Sequence, residues 1–292
     1  MTRRDALTRV LLASVAPSVT GNLASGRDVG RLKARLAVID KRSGGRLGCA
    51  VLNTSTGAVV AHRGGERFPM CSTFKASAVA FVLRRVDLGA ERLERRIVFS
   101  EHDILSHAPV TKLHVGGDGM SIAGLCAAAI TESDNTAANL LLASFGGPAA
   151  LTSFWRAIGD TVTRLDRTEL ELNEGKPGDP RDTTSPIAML ENLRKFVLGD
   201  VLAPPSRKML TQWLVANTTG DARLRAGFPR NCEIGDKTGT GGYQTSNDIA
   251  VIWPLNRKPL VVTAYLTQGQ SSDDVRDRIL ADVGRAVADE IG

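Results

Sequence analysis

Aromatic residues make up only 4% of this 292-residue sequence, and cysteine and histidine occur four times each. The histidines (His62, His102, His107 and His114) and the cysteines (Cys49, Cys71, Cys126 and Cys232) are scattered. None stands at the spacing of a zinc site or a C-x-x-C redox pair, so neither a metal nor another cofactor is expected. No uninterrupted apolar run reaches ~18 residues, which argues against an integral membrane protein and against stable membrane anchoring. Blocks of five or more Lys and Arg are missing, as is any aromatic-rich basic motif. The net charge of +6, from 37 basic and 31 acidic side chains, is therefore that of a basic soluble protein, and no nucleic-acid partner is expected. With 42% hydrophobic and 23% charged residues, 29 glycines and 12 prolines, the chain is neither collagen-like, disordered nor a disulfide-dense mini-protein. It is long enough for one large or two small domains with a sizeable core.

Residues 1–24 have the layout of an export signal: Arg3-Arg4, then Leu7, Val10, Leu11 and Leu12, then small residues. The paired arginines point to the twin-arginine route and a periplasmic destination. Removing the segment takes away three arginines and one aspartate and leaves a net charge of +4 (34 basic, 30 acidic). In an oxidising compartment four cysteines permit three pairings or none. Each lies in an apolar stretch that suits a small hydrophobe, so four buried thiols are expected.

Val29, Leu32, Leu36 and Ile39 form a 3.6-residue stripe and predict a helix over Arg27–Asp40, ended by Ser43-Gly44-Gly45. Leu47–Asn53 and Ala58–His62 read as a β-hairpin. The middle turns helical over Thr73–Val86, Ile122–Thr131 and Thr136–Ser144, with further helices opening at Ser185-Pro186 and Pro204-Pro205-Ser206. Strands return at Glu233–Lys237, Ile249–Trp253 and Leu260–Leu266, before a final helix capped by Ser272-Asp273-Asp274. Strands at both ends and helices between them predict one antiparallel sheet flanked by terminal helices, with an all-helical segment inserted, an α/β plus all-α fold. The expected domains are 27–64 with 217–290 (α/β, discontinuous) and 65–216 (helical). Residues 166–182 show no period and form a compact Ω-type loop.

Four short motifs carry chemistry. Ser72-Thr73-Phe74-Lys75 puts a hydroxyl and an amine three residues apart on one helical face. A serine is a nucleophile only when a base takes its proton, and a lysine in a partly dry cleft can do so. Ser133-Asp134-Asn135 lies between two apolar helices. Asp134 suits an N-cap there, Ser133 a proton relay and Asn135 a substrate carbonyl. Lys237-Thr238-Gly239-Thr240, at the end of a predicted strand, can hold a carboxylate, with Gly239 letting a ligand come close to the backbone. In Arg167-Thr168-Glu169-Leu170-Glu171-Leu172-Asn173, an extended segment would turn Glu169 and Glu171 to opposite sides, with Arg167 and Asp182 pinning the loop.

The S-x-x-K, S-D-N and K-T-G set in this order resembles the class A serine β-lactamases. The flanks agree at Phe68-Pro69-Met70-Cys71, Thr136-Ala137-Ala138-Asn139, Pro180-Arg181-Asp182-Thr183-Thr184 and Asp236. The resemblance covers about residues 27–290. It implies a β-lactamase/DD-peptidase-like fold and hydrolysis of penicillins and cephalosporins through an acyl-enzyme on Ser72, with resistance as the outcome. Lys75, Ser133 and Glu169 would handle protons, and Glu169 with Asn173 would ready the water that cleaves the ester. The N–H groups of Ser72 and Thr240 would form the oxyanion hole. Asn135, Lys237, Thr238, Gly239, Thr240 and Arg223 would bind substrate, and the enzyme would act as a monomer on a small β-lactam.

The sequence departs from the family pattern in places. Where many members carry an arginine after K-T-G, it reads Tyr243-Gln244-Thr245-Ser246-Asn247, so Arg223 or Arg276 would take over as carboxylate anchor, with Arg223 preferred. His107 stands where an aromatic often walls the cleft. Cys71 and Cys126 lack the cysteine partners some members have, Gly241 and Val79 standing in their places. A penicillin-binding DD-peptidase shares the serine, lysine and K-T-G, but such enzymes lack a water-activating Glu169. A β-lactam sensor would require membrane spans.

Overall fold

The computed structural model describes residues 26–291, and the expected export segment lies outside the described residues. In chain order the main elements are α1 (Gly26–Ser43), β1 (Arg46–Asn53), β2 (Ala58–His62), β3 (Phe68–Pro69), α2 (Phe74–Asp87), β4 (Arg96–Ile97), β5 (Met120–Ser121), α3 (Ile122–Thr131), α4 (Asn135–Ser144) and α5 (Gly147–Ala157). They continue with β6 (Thr183–Thr184), α6 (Pro186–Val197), α7 (Pro204–Val215), β7 (Glu233–Gly241), β8 (Thr245–Trp253), β9 (Leu260–Thr267) and α8 (Asp273–Ile291).

Five strands form an antiparallel sheet in the order β2-β1-β9-β8-β7. The first hairpin thus joins the last three strands, as strands at both ends of the chain predict. Both faces are buried, and side chains divide between them with a period of two. Cys49, Val51, Ala250, Ile252, Val262 and Ala264 meet Leu32, Leu36, Leu280 and Val283 of α1 and α8 on one face. On the other, Ala50, Leu52, Ile249, Val251, Val261 and Tyr265 meet the helices drawn from residues 68–215. Two short ribbons, β3 with β6 and β4 with β5, stitch the loops of that helical part.

Local chemistry sets the helix starts. Ser121 Oγ accepts from Gly124 N at 3.1 Å, and Ser185 Oγ from Ala188 N at 3.3 Å with Pro186 following. The sequence does not signal α5, because Gly146-Gly147-Pro148 looks like a break. Gly146 instead adopts φ +101° as its N-cap, and proline opens the helix. Lys237-Thr238-Gly239 does not end β7, as expected, but lies within it: pairing runs from Glu233↔Trp253 through Gly241↔Thr245. Cys49, Cys71 and Cys126 are buried free thiols, whereas Cys232 is only partly buried, contrary to the expectation of four buried ones. Burial pushes the Cys49 thiol up to about 12.

Candidate active site

The nucleophile candidate sits on a tight turn. Cys71–Thr73 form a single 3-10 turn leading into α2, rather than the first turn of a continuous α-helix. Cys71 takes a left-handed φ of +46°. The turn is held from two sides: Asn247 Nδ2 donates to Pro69 O (2.9 Å) and Met70 O (3.0 Å), and Met70 N donates to Asp182 O (3.0 Å). Ser72 Oγ is thereby presented at the floor of a cavity of about 300 Å³.

That cavity is lined by Ser72, Ser133, Asn135, Asn173, Arg223 and the run Thr238-Gly239-Thr240, with His107 and Thr219 on its walls. Lys75, Glu169 and Lys237 lie directly beneath, fully or almost fully buried. All eleven residues singled out in the sequence therefore meet at one place, where the helical part faces the sheet.

Lys75 Nζ has three close acceptors: Asn135 Oδ1 at 2.6 Å, Ser133 O at 2.7 Å and Glu169 Oε1 at 3.0 Å. Three acceptors match the three protons of an ammonium. Burial pushes its pKa down and Glu169 pulls it back up. Ser72 Oγ donates to the same Glu169 Oε1 at 3.3 Å, while Asn173 Nδ2 holds Oε2 at 2.5 Å. On the other side, Lys237 Nζ donates to Ser133 Oγ at 3.0 Å. Burial and the nearby Lys75 charge lower the pKa of Lys237 to about 7. Asp134 is the N-cap of α4, accepting from Ala137 N at 2.9 Å, and it also binds Val110 N and Thr111.

Glu169 reaches the site through the loop's clamp. Arg167 Nε meets Asp182 Oδ2 at 2.6 Å, and Asp182 Oδ1 accepts from the N–H groups of Asp166 and Arg167. Asn139 binds both Glu169 N and Glu169 O at 2.9 Å. The segment is not extended, as expected from its sequence, but coils into a 3-10 turn over Glu171–Asn173. Glu169 is buried and Glu171 exposed all the same.

Gly239 has a use beyond the one its position suggests. A Cβ there would lie 2.8 Å from Met70 O and 3.2 Å from Ser72 N. The missing side chain makes room for the nucleophile turn, and Gly239 also lines the cavity, where its backbone is open to a ligand. A Cβ on Gly241 would likewise strike Cys71 Sγ at 2.6 Å.

Of the two candidate anchors, Arg223 lines the cavity and Arg276 does not. Arg223 is largely committed: Nε to Asp277 (2.8 Å), Nη1 to Gly239 O and Asn247 O (2.9 Å each), and Nη2 to Thr240 Oγ1 (2.8 Å). One N–H on Nη2 remains. Arg276 Nε binds Ser246 Oγ on the interior strand β8 at 2.9 Å. His107 Nε2 contacts Glu132 O at 2.9 Å. Thr219, with Asn217 behind it, lies outside the four motifs. The polar run Asn217-Thr218-Thr219-Gly220 directly after α7 was the available signal. Among the described residues no group of three or more His, Cys, Asp or Glu could hold a metal ion.

Comparison with known proteins agrees with this geometry. Residues 31–291 match the model of the β-lactamase enzyme family. The chain is 44% identical over 284 residues to β-lactamase OXY-1 of Klebsiella oxytoca, covering 97% of each chain. It is 45% identical over 289 residues to β-lactamase CTX-M-25 of Escherichia coli, covering 99% of this chain and 96% of that one. Among solved structures, an ancestral (GNCA) class A β-lactamase superposes with a TM-score of 0.87 at 63% identity, over 88% of this chain and 99% of the other. A putative class A β-lactamase from Rhodopseudomonas palustris gives 0.87 at 58%, over 88% and 98%.

Proposed function

The chain belongs to the class A serine β-lactamases, enzymes that hydrolyse the β-lactam amide, and from that premise we propose how its residues divide the work. Ser72 Oγ attacks the lactam carbonyl carbon. Its proton goes to Glu169, the carboxylate it already faces at 3.3 Å. Lys75 is not the base in this arrangement, because its three protons are all directed at acceptors. It neutralises Glu169 and fixes Ser133. The oxyanion is received by the N–H groups of Ser72 and Thr240, each such donor being worth about 3–4 kcal/mol in serine hydrolases.

As the C–N bond breaks, the ring nitrogen needs a proton. Ser133 supplies it: its oxygen accepts from Lys237, which leaves its own O–H for the cavity. Lys75 then gives one of its protons to Ser133 Oγ at 3.5 Å and takes back from Glu169 the proton that came from Ser72, so Ser133 and Glu169 are both reset. Lys237 and Thr238 hold the substrate carboxylate. Arg223 contributes its one spare N–H and steadies Thr240. Asn135 and Asn173 turn amide groups toward the substrate's side chain and the hydrolytic water. Glu169, a carboxylate again, takes a proton from that water as it attacks the ester and gives it to Ser72 Oγ as the ester C–O bond breaks, which frees Ser72.

The observation that carries this reading is the shared oxygen: Glu169 Oε1 lies 3.3 Å from Ser72 Oγ and 3.0 Å from Lys75 Nζ. The DD-peptidase alternative has no use for this buried carboxylate. Two domains, 27–64 with 217–290 and 65–216, place the site at their seam. The enzyme acts as a monomer without stable membrane anchoring, after export to the periplasm on a twin-arginine signal in residues 1–24. The test is Glu169→Ala mixed with a penicillin. Acylation should be slower, because the Ser72 proton must then go to Lys75, freed of its counter-charge; intact mass should show the protein plus one whole substrate building up and persisting for many parental turnover times. Normal turnover by this variant would refute the assignment of Glu169.

A further inference from the structure

The hydroxyl of Thr238 is assigned above to the substrate carboxylate, but the groups behind it determine where its proton lies. Thr238 Oγ1 is 2.5 Å from Thr219 Oγ1, so one of the two donates to the other. Which one does so follows from the chain behind them. Asp236 is fully buried, and its Oδ1 contacts Arg225 Nη2. Its Oδ2 accepts from Asn217 Nδ2 at 2.7 Å. That turns Asn217 Oδ1 toward Thr219, where it accepts from Thr219 N at 3.2 Å. The backbone N–H can only donate, so a flipped amide would set two donors against each other. Thr219 Oγ1 is 2.9 Å from the same Oδ1. Two acceptors at that distance repel, so the single Thr219 proton lies between them. Thr219 therefore has no proton left for Thr238, and Thr238 must be the donor.

We infer that Thr219 is a specificity-determining positioning residue: it holds the Thr238 proton away from the cavity and competes for it with the carboxylate of an incoming substrate. In the resting enzyme a carboxylate next to Lys237 meets lone pairs on Thr238, and full recognition requires Thr238 to turn its proton from Thr219 to the ligand. Asn217, only 4% exposed, and Asp236 set the direction of this chain without touching substrate. Thr219 borders the cavity, so a change there is local.

This inference rests on the reading of Thr238 as a carboxylate contact, and the experiment separates the two. The test measures kcat and kcat/KM for a penicillin and for its methyl ester, with parent, Thr219→Val, Thr219→Ser and Thr238→Val. Thr219→Val keeps the shape and removes the acceptor. It should raise kcat/KM for the carboxylate form about threefold to tenfold, the range one net hydrogen bond spans. The ester should be unaffected, and so should kcat where deacylation limits it. Thr219→Ser should behave as the parent. Thr238→Val should lower kcat/KM for the carboxylate form alone. If Thr238→Val has no selective effect, the carboxylate reading falls and this inference with it. If Thr238→Val is selective but Thr219→Val leaves kcat/KM unchanged or lowers it for both substrates, the competition is refuted and the carboxylate contact stands. Matched thermal midpoints for the threonine variants guard against a folding artefact, and Thr219→Ala, which also removes the acceptor, takes the place of Thr219→Val should that prove unstable, with the same results expected.

Discussion

Replacing Gly239 by alanine tests how the sheet holds the nucleophile. The added Cβ would lie 2.8 Å from Met70 O, 3.2 Å from Cys71 Cβ and 3.2 Å from Ser72 N. Carbon atoms prefer about 3.5–4.0 Å, and the groups struck are mainly backbone, so β7 and the turn must part by about half an ångström or more. Small-to-large changes in packed positions cost roughly 1–3 kcal/mol, which sets the expected loss of stability. The catalytic loss should be larger. The proposed oxyanion donors, Ser72 N and Thr240 N, belong to the two segments being pushed apart. Loss of one such donor costs about 10²–10³-fold in kcat, and a 1 Å misplacement about 10²-fold. Acylation of Gly239→Ala, followed by rapid mixing with a chromogenic cephalosporin, should therefore slow by about 10²-fold. Gly65→Ala is the control, since a Cβ there meets nothing within 4 Å. If Gly239→Ala acylates within a few-fold of the parent, the contact between strand and turn does not set the oxyanion geometry.

Three further outcomes are expected. Asp182→Asn removes the charge opposite Arg167 at a carboxylate only 1% exposed, which should cost about 3 kcal/mol by thermal unfolding. Acylation and deacylation should both slow, because Glu169, the base of each step, rides on that loop. The lowered pKa of Lys237, about 7, means its charge is present below that pH and lost above it, so kcat/KM for a carboxylate-bearing β-lactam should fall as pH rises through about 7. The corresponding methyl ester should show no such limb. Alkylation under native conditions should label Cys232 ahead of Cys49, Cys71 and Cys126, as shown by peptide mass, since only Cys232 is partly exposed.

The site was legible in the sequence to the extent that chemistry fixes residue type. A nucleophile, two lysines and a carboxylate cannot be exchanged for other residues, so Ser72, Lys75, Lys237 and Glu169 stand out wherever they are. Geometry was less legible. Lysine and glycine are poor strand residues, so β7 looked finished at Lys237. Nine registered pairs with β8 carry the strand on to Gly241, an instance of tertiary pairing overriding local preference. The turn over Glu171–Asn173 was hidden for a similar reason, since the Arg167–Asp182 pair that closes the loop is a contact between distant positions. Asn217 and Thr219 belong to no motif at all. Their part depends on an amide orientation fixed by a backbone N–H, which no pattern of side chains announces.

β7 has a single sheet partner and ends the five-stranded sheet. Strand edges of this length invite pairing with other chains. Here that edge borders the cavity at Thr238-Gly239-Thr240, while the turn that carries Ser72 packs on the strand's face at Gly239. A cleft of about 300 Å³ admits a small molecule to the edge and leaves no room for another chain's strand. A mutation that loosens the helical part therefore does more than dull the enzyme: it widens the cleft and bares a template for aggregation, and the amount of soluble enzyme should fall along with its turnover.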